Sequence, residues 1–198
     1  MSLLPAGDTD GSEPGGVGAS DEELLSGHLR GNKDMFDELV RRYQHPLHAF
    51  ICRVTGPGEA WDLFQESFMQ VYRNADRFGG RGSFKTWLYA IALNTCRAYL
   101  RKHRRKETVS ERAATYAVSN CPDPGSVVAK EEVDRRIADA VAELPEDQRE
   151  VVFLRTSGGL SFREIAEALG LPLATAKSRM RLALSKLRAQ LHEIAKEV

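Results

Sequence analysis

Cysteine is scarce in this chain. The 198 residues hold three, Cys52, Cys96 and Cys121, widely spaced and without a CxxC pair, a usage that fits a reducing cytoplasm. No apolar run approaches the ~20 residues of a membrane span, and the first residues lack a basic-then-apolar signal pattern. The expectation is a cytoplasmic protein with no membrane insertion. Net charge is also missing: 28 Lys and Arg balance 28 Asp and Glu, which argues against a partner chosen by bulk charge. There is no glycine-rich phosphate loop, no nucleophile–base–orienter set and no paired carboxylates in a recognisable setting. An enzyme is therefore not expected, and no cofactor is implied. His45, His48 and Cys52 fall on one helix face and could in principle ligate zinc. Pro46 distorts that turn and a fourth ligand is absent, so the three are read as ordinary surface or core residues and no metal is expected.

What the neutral total conceals is patterning. From Ser2 to Gly27 the only charged residues are acidic: Asp8, Asp10, Glu13, Asp21, Glu22 and Glu23. From Arg81 to Lys106 they are all basic: Arg81, Lys85, Arg97, Arg101, Lys102, Arg104, Arg105 and Lys106. A second all-basic stretch holds Lys177, Arg179, Arg181, Lys186 and Arg188. Two local basic faces on a neutral chain imply a polyanion engaged at two places.

Residues 1–19 are rich in Gly, Pro, Asp and Ser and read as a disordered leader. Ser20 with Glu23 forms a capping-box pair that starts a helix at Asp21, ending near Gly31. Phe36, Leu39, Val40, Tyr43, Leu47, Phe50, Ile51 and Val54 then recur at spacings of three and four, the stripe of a long helix that Pro46 should kink. After the Gly56-Pro57-Gly58 turn a third helix places Trp61, Phe64, Phe68, Val71, Tyr72 and Ala75 inward, with Asp62, Gln65, Glu66, Met69 and Arg73 outward. Ser83, following a glycine loop, can cap a fourth helix with Phe84, Trp87, Leu88, Ile91 and Thr95 on one face. These helices make one domain, residues 20–106. Residues 107–125, ending in Asn120-Cys121-Pro122-Asp123-Pro124-Gly125, read as a flexible linker. Ser126 caps the next helix, which stops at Pro145, and residues 126–198 form a second domain. No strand signal of any length appears. The fold class is all-α, two helical domains joined by a tether.

The sharpest local pattern runs from Gly159 to Leu187. Ser161 and Glu164 form another capping box, opening a short helix with Ile165, Ala166 and Leu169 buried. Gly170 takes a left-handed turn without strain, and Pro172 keeps the first helix from continuing. A second helix starts near Ala174. This is a helix-turn-helix, whose second helix normally lies in the DNA major groove. Its first two turns carry Thr175, Lys177, Ser178, Arg179 and Arg181, with no acidic residue before Glu193. A helical hairpin with a solvated basic face would explain the charge alone. It would not explain the capping box, the small Ala166, the glycine corner and the acid-free second helix together.

The fourth helix ends in six cations between Arg97 and Lys106, with His103 among them. One or two would suffice to complement the helix dipole. Upstream, Phe84, Trp87 and Tyr89 lie beside the glycine loop. Rings next to a cationic track suit single-stranded nucleic acid, whose bases stack while its phosphates meet the cations. Most of these rings are expected in the core, Trp87 included.

Taken in order, these segments resemble the extracytoplasmic-function sigma factors of the sigma-70 family, from Asp21 to Leu191. The run Asp62-Leu63-Phe64-Gln65-Glu66-Ser67-Phe68-Met69-Gln70-Val71-Tyr72 is similar to the family helix that docks on the clamp helices of the polymerase's largest subunit. The resemblance places Asp62, Gln65, Glu66 and Met69 at an interface with core RNA polymerase. Asp76-Arg77-Phe78, with Ser83-Phe84-Lys85-Thr86-Trp87-Leu88-Tyr89-Ala90-Ile91-Ala92-Leu93-Asn94, resembles the segment that opens the minus-ten element of promoter DNA. It implies DNA contacts at Phe84, Trp87, Asn94, Arg97, Arg101, Arg104 and Arg105. Leu144-Pro145-Glu146-Asp147-Gln148-Arg149-Glu150-Val151, with the helix-turn-helix, is similar to the reader of the minus-thirty-five element. There Lys177, Ser178 and Arg181 are assigned to base edges, Thr175 and Arg179 to phosphates. Ala176 departs from the family, which usually has a larger aliphatic residue there. Members are often held inactive by an anti-sigma factor; the sequence leaves open whether this one is.

Overall fold

A computed structural model of the chain describes residues 18–80, 82–103 and 136–194. The expected linker, the caps at Ser126, and Arg104 and Arg105 lie outside the described residues. Every regular element among those described is helical: α1 (Asp21–Leu29), α2 (Lys33–Thr55), α3 (Ala60–Arg73), α4 (Phe84–His103), α5 (Glu146–Thr156), α6 (Phe162–Leu169) and α7 (Leu173–Ile194). A short 3-10 turn spans Ala75–Arg77, and residues 136–142 are helical ahead of α5.

The acidic start of α1 is structural. Ser20 and Glu23 make the capping box in both directions, at 3.2 and 2.7 Å. Asp21 accepts from the Arg42 guanidinium at 3.0 Å and from the Tyr43 hydroxyl. Glu22 accepts from the backbone N–H of Phe84 at 2.8 Å, so a carboxylate from α1 caps the start of α4. Such a group satisfies an otherwise orphaned donor and favours the positive end of the helix.

α2 continues through Pro46 as one helix. Proline there removes one backbone hydrogen bond, but Leu39, Tyr43, Leu47, Phe50, Ile51 and Val54 are all buried on the same stripe, and that packing holds the two halves as one element. α3 differs from its expected inward face at two positions. Phe64, Phe68 and Val71 are buried, whereas Trp61 and Tyr72 are 48% and 51% exposed. Both rings sit at the margin of the stripe, where they lie over neighbours instead of entering the core. Trp61 stacks on His48, with centroids 4.0 Å apart, and Tyr72 meets Phe36 edge-on.

Gly79, Gly80 and Gly82 between α3 and α4 all have positive φ, at 61°, 66° and 78°. A side chain would be strained at each, which accounts for the glycine-rich loop.

Packing between elements is continuous. α1, α3 and α4 surround α2, while α5 and α6 pack on α7. The two groups also meet: α6 lies on α4 and α5 on α2, and their buried residues form one apolar cluster.

Candidate nucleic-acid and polymerase interfaces

The helix-turn-helix forms as the sequence implies. Ser161 caps α6, and Glu164 returns the bond to the Ser161 N–H at 2.7 Å. The two bonds to Ser161, then the Lys85 ammonium and the Ser83 hydroxyl, hold the Glu164 carboxyl below its ordinary value against the opposing effect of burial. α6 ends at Gly170 with φ 63° and ψ 38°. The N–H of Leu171 bonds the Ala166 carbonyl at 2.9 Å and that of Gly170 bonds Glu167 at 3.1 Å, the paired closure of a left-handed helix stop. Leu173, one residue earlier than expected, opens α7.

α7 then divides its residues by angle. Ala176, Met180 and Ala183 are buried in the core. Ala176 is fully buried, so the small residue there packs inside the core. Lys177 and Arg181 are exposed on the opposite side, with Ser178 half-buried between them. Thr175 and Arg179 lie half-buried on the flank, and Arg179 Nε is 3.2 Å from the Asp147 carboxylate of α5. Of the residues assigned to bases, Lys177 and Arg181 are thus exposed, whereas Ser178 is half-buried like Thr175 and Arg179, which are assigned to phosphates.

α4 presents a different result. Phe84 is fully buried, packed against Tyr43 and Phe78, so its ring offers no surface for a base. Trp87 is half-buried, tilted against Phe78 at 5.3 Å. Asn94 and Arg101 are exposed. Arg97 is not a free cation here. Its Nε and Nη2 each donate to one oxygen of Glu150 at 2.6 Å, and its Nη1 donates to Asn94 Oδ1 at 2.9 Å. The Glu150 hydrogen bonds raise the Arg97 pKa, outweighing desolvation. Glu150 is the residue that sequence reasoning missed, because nothing local to α5 announces a partner 53 positions away.

On α3, Asp62, Gln65, Glu66 and Met69 are all exposed, Met69 by 47%. Trp61 and Tyr72 border the same side, giving an acidic and amide face set with large apolar groups. Arg149 was also missed: buried, it donates to the carbonyls of Ala142 and Leu144 at 2.8 and 3.3 Å, closing the end of the helix before α5.

Among the described residues no cluster of three or more His, Cys, Asp or Glu is arranged to hold a metal. His48 lies 3.7 Å from Cys52 Sγ through Nε2, and its pKa is lowered by burial and by nearby His45. Cys96 is buried, which pushes its thiol up to about 12. No described helix is long and apolar enough to cross a membrane.

Comparison with known proteins settles the family. Sigma-70 region 2 matches residues 39–106 and Sigma-70 region 4 matches residues 134–187. The chain belongs to the extracytoplasmic-function (ECF) sigma factors. It is 33% identical to the ECF RNA polymerase sigma-E factor of Haemophilus influenzae, over 81% of this chain and 89% of that one. Identity to the Escherichia coli K12 factor of the same name is 33%, covering 81% and 88%. Among solved structures, the sigma factor RpoE in complex with the anti-sigma factor NepR from Bartonella quintana aligns with a TM-score of 0.62 at 25% identity, covering 79% of this chain and 96% of that one. CnrH, solved with the cytosolic domain of CnrY, shares the fold, with a TM-score of 0.66 at 24% identity over 88% and 99% of the two chains. This ECF factor is accordingly an alternative sigma factor that directs transcription initiation, and its kind are initiation factors, not enzymes.

Proposed function

We propose that the three faces divide the work of initiation. The outer side of α3 docks on the clamp helices of core RNA polymerase through Asp62, Gln65, Glu66 and Met69. The end of α4, with Asn94, Arg97 and Arg101, together with Arg104 and Arg105 that follow it in sequence, holds the opened non-template strand at the minus-ten element, Trp87 lying alongside. α7 enters the major groove at the minus-thirty-five element, where Lys177, Ser178 and Arg181 meet base edges and Thr175 and Arg179 sit by phosphates. Residues 20–106 and 126–198 act as separate DNA-binding domains. Neither needs high affinity alone, because linkage on polymerase raises the effective concentration of each. The place of action is the cytoplasm, with polymerase and promoter as partners. The Bartonella relative solved with an anti-sigma factor supports such a regulator as a further partner.

The observation that carries this reading is the partition of α7: an apolar side buried against α5 and α6, and Lys177 with Arg181 turned outward. Mixing the purified protein with bacterial core polymerase and following size-exclusion chromatography tests the docking face. Wild type should co-elute, and the Asp62→Lys/Glu66→Lys variant should not, with unchanged circular dichroism. Co-elution of both would remove α3 from the interface. With polymerase verified using another sigma factor, failure of both would overturn the reading.

A further inference from the structure

α7 turns one large apolar side chain toward the side assigned to DNA. Leu182 is 46% exposed. The residues three and four positions from it, Ser178, Arg179, Ser185 and Lys186, are all polar. At 100° per residue, Ser178 lies nearly opposite the buried Ala176, Met180 and Ala183. Arg181 is then about 60° to one side of Ser178 and Leu182 about 40° to the other, with Thr175 and Arg179 further round on the Leu182 side. Leu182 therefore stands between residues assigned to bases and residues assigned to phosphates. Leu184 is exposed as well, but it is turned about 160° away, so the two leucines make no common apolar patch for a protein partner.

A leucine in the major groove has little to meet. Every base pair presents donors and acceptors there, and a leucine pressed on them would dehydrate them without replacing the lost bonds. The exception is thymine, whose 5-methyl group is apolar. That methyl is the outermost group on the pair's edge, nearest the backbone of its own strand. Leu182 occupies the corresponding place on α7, beside the flank that carries Thr175 and Arg179. We propose that Leu182 reads a thymine in the minus-thirty-five element through its 5-methyl group. This rests on the reading of α7 as the major-groove helix. To the hydrogen-bonding side chains it adds an apolar specificity contact, and it names the base that the contact selects.

The contact can be removed from the DNA side by one methyl group. Uracil differs from thymine only there and pairs with adenine in the same way. The full chain on core polymerase would first select from duplexes randomised across the upstream element. The preferred duplex would then be remade with each thymine replaced singly by deoxyuridine, and affinity followed by fluorescence anisotropy. Wild type should lose about fourfold at one position, the size of one methyl-sized apolar contact. Leu182→Ala should bind the thymine duplex about fourfold more weakly and be indifferent to uracil at that position. Alanine favours helix, so circular dichroism should be unchanged. A leucine of merely structural value would lower affinity without altering the response to uracil.

The possible failures are distinguishable. A preferred element of G·C pairs alone, or an equal response to uracil in both proteins, would overturn the role of Leu182 and leave α7 in the groove. No upstream preference in wild type, with Arg181→Ala indistinguishable from it, would overturn the reading of α7 and the proposal with it.

Discussion

Arg179 and Arg181 stand two positions apart on α7 and meet different surroundings. Arg179 reaches Asp147 on α5, while Arg181 is exposed. Composition could not separate them; the angle about the helix does, because 100° per residue puts one on the flank and the other outward. Arg181→Ala should therefore relax preference at one upstream base position by about 1–3 kcal/mol. Arg179→Ala should weaken all promoters alike. Binding to a panel of single-base promoter variants, with polymerase present, measures both, and an equal loss across the panel for both variants would contradict the division. Trp61 makes the complementary case on α3. The sequence places it in the stripe, but a ring at the stripe's margin is half-covered by His48 and half-open. Exposed tryptophan beside a docking face is the kind of residue that dominates binding energy. Trp61→Ala should weaken association with core polymerase by about tenfold or more, roughly 1.4 kcal/mol, and leave helix content unchanged. An undiminished affinity in surface-based binding assays would place the ring outside the interface.

At the scale of elements, local chemistry was highly legible. Both capping boxes, the stop at Gly170 and the helical face of α2 follow from interactions within a few residues, so the sequence contains all their participants. Ser161→Ala removes the acceptor of the Glu164 N–H at the start of α6 and should cost about 1 kcal/mol, within the roughly 0.5–2 kcal/mol range of such caps. The same cap carries a pH signature. Glu164 is held below its ordinary value, so the folded state binds fewer protons than the unfolded one between the two values. Its contribution is complete above the ordinary carboxylate value and is lost as the pH falls through the lowered one. Thermal unfolding of wild type should weaken across that acidic window, and Ser161→Ala should flatten the dependence. An identical slope in the variant would show that the bond to Ser161 is not its source. The long helix expected through Pro46 also forms, and its continuity there depends on the buried stripe on both sides of the proline.

For the whole molecule, the two helical groups were legible and their contact was not. Each group follows from amphipathic stripes and turns, which are local, whereas Arg97 and Glu150 are joined only by the packing of α4 against the C-terminal helices. Arg97 in a basic run reads as a phosphate contact; its carboxylate partner lies among the polar residues of α5, where any acidic residue looks solvated. The buried state of Glu150 makes the pair strong in one respect and fragile in another. Removing Arg97 leaves an uncompensated, largely buried carboxylate, which costs more than the pair itself contributes. A double-mutant cycle separates the two quantities. Arg97→Gln and Glu150→Gln should each lower stability to urea, and the double variant should lose less than their sum, by about 1–3 kcal/mol. Strict additivity would mean that the two side chains stabilise their own helices independently.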